Sequence, residues 1–145
     1  MGLRAFNNMF SMGALEIELT KKPKQISKML LNVSASPNAK IKSIKFRPNV
    51  WNDDFDDSFV KPTKEQLANI VVEKPTITVK SDGGTVTCDA PNGEYFTAGN
   101  LIKVIEKTER KTRKNTEWFG GIDVHHIYFE GLHKEGKYYT IYWGS

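Results

Sequence analysis

A single cysteine, Cys88, in 145 residues excludes an intramolecular disulfide. A cystine-stapled secreted mini-domain is therefore ruled out, and the expected compartment is intracellular, the cytoplasm first. No apolar run is long enough to span a bilayer. The opening MGLRAFNNMFSMGALEIEL lacks the continuous apolar stretch and small-residue site of a signal peptide. Phe6 stands where a myristoylation motif wants Ser or Thr. Repeats and low-complexity tracts are absent. Gly83-Gly84 and Gly120-Gly121 open no helix at the spacing of a phosphate-cradling loop, so they read as turns.

What remains is ordinary globular material: 39% apolar and 26% charged residues. At this length a domain buries roughly 68–70% of its unfolded surface and needs no staple. The net charge of +4 and a pI near 9.1 permit acidic or nucleic-acid partners without demanding either.

Along the chain, Leu3, Phe6 and Phe10 with Met9 and Met12 suggest an amphipathic turn, read as a packed N-terminal arm (residues 1–13) ahead of one α+β domain (residues 14–145). Leu15-Glu16-Ile17-Glu18-Leu19 alternates as a half-buried strand should. Ile26, Met29, Leu30 and Val33 recur at helical spacing, and Lys40 to Phe46 reads as a strand. The segment from Arg47 to Pro62 reads as a loop, with four aspartates, Asp53, Asp54, Asp56 and Asp57, around Phe55. It lacks the ligand spacing of a calcium loop.

Thr63 to Gln66 fits a capping box for a short helix with Leu67, Ile70 and Val71 on its apolar face. Ile77 to Cys88 reads as a hairpin turning at Ser81-Asp82-Gly83-Gly84. Thr97 caps the longest helix, Ala98 to about Asn115, with Leu101, Val104 and Ile105 inward. A closing hairpin pairs Ile122 to Glu130 with Lys137 to Trp143. The mixture implies an α+β fold, a single domain with a mostly antiparallel sheet packed with two or three helices.

The succession LEIELTKKP, SASPNAKIKSIKF, PTITVKSDGG…YFTAGNLIKVIEK and IYFEGL…YYTIYW resembles, in order, an uncharacterised domain family abundant in fungi. Its members read as a strand plus proline, an sPp loop into a strand, a vTVgDVLeaI helix and a tRFaGL hairpin. The resemblance spans roughly Leu15 to Trp143. It departs at Asn100, where an acidic residue is usual, and at the inserted acidic loop. It implies an order of elements and no activity.

Candidate chemistry is sparse. His125 and His126, adjacent on an expected strand, point to opposite faces and cannot share an ion, and His133 lies near a turn. Neither a metal site nor a cofactor is expected. Strand parity sends Tyr139, Ile141 and Trp143 inward and leaves His126, Tyr128, Glu130, Tyr138, Thr140 and Tyr142 as a polar-aromatic outer face. Such a face suits protein recognition, because tyrosine offers contact area at low entropic cost; ordinary cross-strand pairing on a half-exposed sheet, or burial under the N-terminal arm, is the plainer explanation.

Lys103, Lys107, Arg110 and Lys114 fall within about 60° on the helical wheel, opposite Leu101, Val104 and Ile105. That stripe is the alternative, a nucleic-acid surface, although a solvated face accounts for it too. A third reading is a small enzyme with His126 as base and Glu130 as its orienter. It lacks a nucleophile and an oxyanion hole, so a non-enzymatic protein-interaction or assembly module leads.

Overall fold

The computed structural model describes residues 2–20, 39–52, 58–118 and 121–145. The expected helix over Ile26 to Val33 and the aspartates from 53 to 57 lie outside them. Helix α1 (Leu3–Phe10) leads into β1 (Met12–Leu19), which pairs antiparallel with β2 (Ile41–Asn52). β3 (Ser58–Val60) follows, then α2 (Lys64–Ala68), β4 (Ile70–Val72), β5 (Thr76–Ser81), β6 (Gly84–Asp89) and β7 (Phe96–Thr97). Helix α3 (Ala98–Thr112), a 3-10 turn (Arg113–Asn115), β8 (Tyr128–Glu135) and β9 (Tyr138–Gly144) complete the chain. Seven strands form one sheet in the order β3-β2-β1-β8-β9-β5-β6, and β4 pairs with β7. Among the described residues only the β5–β9 pair is parallel. This is the expected α+β fold, a mostly antiparallel sheet with three α-helices among the described residues.

Three boundaries differ from expectation. The segment from Arg47 to Pro62 is not a loop throughout: β2 continues to Asn52, and β3 pairs back onto it. Pro48 is accommodated because its neighbour across β1 is Gly13, where a Cβ would stand 2.7 Å from Arg47 O. Ile70 and Val71 belong to a strand rather than to the α2 helix, which ends at Ala68. Ile122 to Ile127 is irregular, and the closing strand starts at Tyr128.

Both capping boxes form as the sequence implies. Thr63 Oγ1 accepts from Gln66 N–H, and the Gln66 side chain accepts from Thr63 N–H. At α3 Thr97 does the same with Asn100, whose amide oxygen accepts from Thr97 N–H at 2.9 Å. The amide thus performs there the capping role of the usual acid.

The helices α1 and α3 lie on one face of the sheet and enclose the core. Phe6 and Phe10 are fully buried. Phe6 meets Phe129 edge-on at 6.3 Å, and Phe46, Phe129 and Trp143 pack at 5.1–5.6 Å between centroids. Each such ring contributes about 1.5–3 kcal/mol through burial. The N-terminal arm is therefore a core element. Asn7 ties it to the sheet by a pair of hydrogen bonds, donating to Leu132 O at 2.7 Å and accepting from Leu132 N–H at 2.9 Å.

Candidate functional site

The opposite face of the sheet is covered by no described element. On β9, Tyr139, Ile141 and Trp143 are buried as parity requires, while Tyr138, Thr140 and Tyr142 face outward. On β8, Glu130 sits at a bulge between Phe129 and Gly131, so one extra residue stands opposite β9. Beyond it the parity inverts: Leu132 turns into the core, and His133 and Glu135 join the outer face opposite Thr140 and Tyr138. Alternation alone could not find these two residues. Glycine at 144 leaves room for Glu130, whose carboxylate lies where a Cβ would be.

The resulting cluster is Tyr128, Glu130, His133, Glu135, Tyr138 and Tyr142, with Tyr128 54% and Tyr142 40% exposed. His133 meets the Tyr142 ring edge-on at 5.1 Å. Tyr142 OH donates to Glu135 Oε2 at 2.5 Å. That bond, with a further one from Thr140, holds the Glu135 carboxyl below its ordinary range. The same bond raises the Tyr142 phenol above its ordinary 10.0. Lys80 and Lys137 approach the Tyr138 ring at 5.5 and 5.2 Å.

His126 does not join this face. It lies in the irregular segment before β8, and its partner is Asp123, not Glu130: His126 Nδ1 is 2.6 Å from Asp123 Oδ2. Asp123 Oδ1 also accepts from the backbone N–H groups of His125 and His126. Burial pushes the Asp123 carboxyl up, but the two backbone hydrogen bonds and His126 outweigh it, and the acid sits below its ordinary 3.8. His125 stacks on Trp118 at 4.6 Å. Among the described residues no hydroxyl or thiol hydrogen-bonds to the His126 ring.

Behind this segment lies a buried polar group that hydrophobic patterning missed. Arg113 pairs with Glu109 at 2.6 Å and donates to His126 O at 2.9 Å, and Thr116 Oγ1 donates to Arg113 O. The signal was present: at 100° per residue Thr108, Thr112 and Glu109 extend the wheel arc of Leu101 and Ile105.

The basic stripe is exposed but divides. Arg110 pairs with Glu106 at 2.6 Å and, with Lys114, lines a groove of about 570 Å³ shared with Lys40 and Lys42 of the β2 side. Its floor includes Ala39, Ile41 and Ile122. Lys103 and Lys107 instead line a separate cleft against β6. Cys88 is buried there, and burial raises its thiol pKa against the lowering effect of Lys107 and Lys111, which leaves it unsuited to nucleophilic work. Among the described residues no three histidines, cysteines or carboxylates gather as metal ligands, and no helix is long and apolar enough to cross a membrane.

Comparison with family models, curated proteins and solved structures finds no match.

Proposed function

We propose that this chain is a non-enzymatic protein-interaction module that presents the outer face of β8 and β9 to a partner protein. The observation that supports it is that Tyr128 and Tyr142, on the paired strands β8 and β9, are both exposed on a sheet face that no described element covers. Aromatic rings set among Glu130, Glu135 and His133 supply the anchors and polar surround that interfaces favour. His126 contributes to the module through the segment that positions β8 rather than through contact.

The test is affinity capture of the tagged chain from its own cells after nuclease treatment, compared with Tyr128→Ala/Tyr142→Ala. A stoichiometric protein recovered with the parent and lost with a folded double variant supports the proposal. Equal recovery with both proteins contradicts it.

A second reading, nucleic-acid binding, is favoured by the groove that brings Lys40, Lys42, Arg110 and Lys114 together over an apolar floor. It predicts binding of a single-stranded oligonucleotide that weakens steeply as salt rises. Salt-independent or absent binding at low ionic strength removes it.

A further inference from the structure

β6 ends the seven-stranded sheet and, among the described residues, pairs on one side alone, with β5. The hairpin closes at Ser81 opposite Gly84, and Ala90 N–H donates to Pro75 O at 2.7 Å. In an antiparallel ladder hydrogen-bonded pairs alternate with non-bonded ones. Gly84, Val86, Cys88 and Ala90 therefore turn their backbone groups toward β5. Thr85, Thr87 and Asp89 turn theirs outward, leaving a row of N–H and C=O groups along the edge. Within Gly84–Asp89 no proline or lysine blunts this edge, and Asp89 at its end is the only charge.

Helix α3 runs beside that edge in the opposite direction. At the hairpin tip, Gly83 approaches so closely that a Cβ would stand 1.9 Å from Thr112 O, and Asn115 donates to Gly83 O at 3.4 Å. At the other end a cleft of about 120 Å³ is lined by Cys88, Asp89, Asn100, Lys103, Val104 and Lys107. Lys111 follows Lys107 at i+4 on the same exposed flank of the helix.

The two repeats keep step. Four helical residues rise about 6 Å, and two strand residues advance about 6.6–6.8 Å. Lys103, Lys107 and Lys111 therefore fall beside alternate side chains of any strand laid along β6.

We propose that the free edge of β6 accepts an extended acidic peptide as an additional strand, with Asp or Glu at alternate positions meeting Lys103, Lys107 and Lys111. The edge supplies register and the lysines supply selectivity. A peptide is favoured over a nucleic-acid strand because the outward carbonyls of Thr85, Thr87 and Asp89 need N–H donors in register, which a sugar-phosphate backbone lacks. The site is independent of the tyrosine face.

The probe is a fluorescein-labelled peptide of about eight residues alternating Val and Glu, read by anisotropy against the full chain. Saturable binding is expected. It should weaken about tenfold, the equivalent of about 1.4 kcal/mol, in Lys103→Gln/Lys107→Gln/Lys111→Gln. It should also be lost when the peptide is N-methylated at alternate residues, and stay unchanged in Tyr128→Ala/Tyr142→Ala. Thr87→Pro, which removes one outward N–H without altering charge, should reduce it as well. No binding overturns the proposal, as does equal binding of the N-methylated peptide, which would mean charge alone attracts it. Tighter binding of a single-stranded oligonucleotide that displaces the peptide also overturns it, in favour of nucleic acid.

Discussion

Arg113 and Glu109, one helical turn apart at the C-terminal end of α3, form an ion pair at 2.6 Å between side chains only 2% and 1% exposed. The guanidinium also lies 5.7 Å from the Trp143 ring centroid and holds the carbonyl of His126. One buried side chain thus joins helix, sheet and the segment entering β8. Removing Arg113 leaves the Glu109 carboxylate buried without its cation, at a cost of about 3–5 kcal/mol, while removing Glu109 leaves Arg113 only the more distant Asp123 carboxylate at 4.0 Å. Arg113→Met and Glu109→Leu should each lower the urea midpoint sharply, and the double variant should recover most of the loss. A double variant as unstable as the sum of the singles would contradict a coupled pair.

Asp123 carries a depressed folded-state pKa, so its contribution to stability is intact above its ordinary unfolded value of 3.8 and disappears as pH falls through the lower folded value. The parent should therefore lose stability between about pH 4 and the more acidic folded pKa. Asp123→Asn, which keeps the Oδ1 acceptor but not the charge, should be less stable at pH 7 and flatter with pH in that window. Parallel pH–stability curves for the two proteins would refute this assignment.

At the β5–β6 turn, Gly83→Ala should destabilise by about 1–3 kcal/mol through overpacking against Thr112. Gly136, in the β8–β9 turn, has a positive φ of 60°, and a Cβ added there would meet nothing within 4 Å. Gly136→Ala should cost only the left-handed backbone penalty, about 1–2 kcal/mol. Thermal melts of the two variants separate clash from strain, and equal small losses would place α3 farther from the turn.

On the open face, the Tyr142–Glu135 bond predicts that Glu135→Gln lets the Tyr142 phenol ionise at lower pH than in the parent. Carbon-13 ring shifts across the alkaline titration report this directly. An unchanged Tyr142 titration would mean that the bond does not persist in solution.

Much of the fold was legible because periodicity and capping act locally. The alternation of Leu15 to Leu19, the two threonine caps and the inward set Tyr139, Ile141 and Trp143 all appear as their residues imply. Irregularities were not legible. The bulge at Glu130 inverts strand parity, and alternation has no means of registering one inserted residue. The segment from Ile122 to Ile127 runs into β8 without a break in sequence, yet Asp123 draws the His125 and His126 N–H groups into an Asx turn, a local bond that competes with sheet pairing. The basic wheel stripe was correct in angle, but neighbouring elements decide which groove each residue lines: β6 claims Lys103 and Lys107, and the β2 side claims Arg110 and Lys114.

The most direct test of the central claim is covalent tyrosine footprinting of the purified chain and of the same chain in nuclease-treated native extract. With Tyr128 and Tyr142 exposed and Tyr139 buried, the purified protein should label strongly at the first two and weakly at the third. In extract, Tyr128 and Tyr142 should become protected while Tyr139 stays unchanged. Equal labelling of Tyr128 and Tyr142 with and without extract would contradict a protein-binding role for this face.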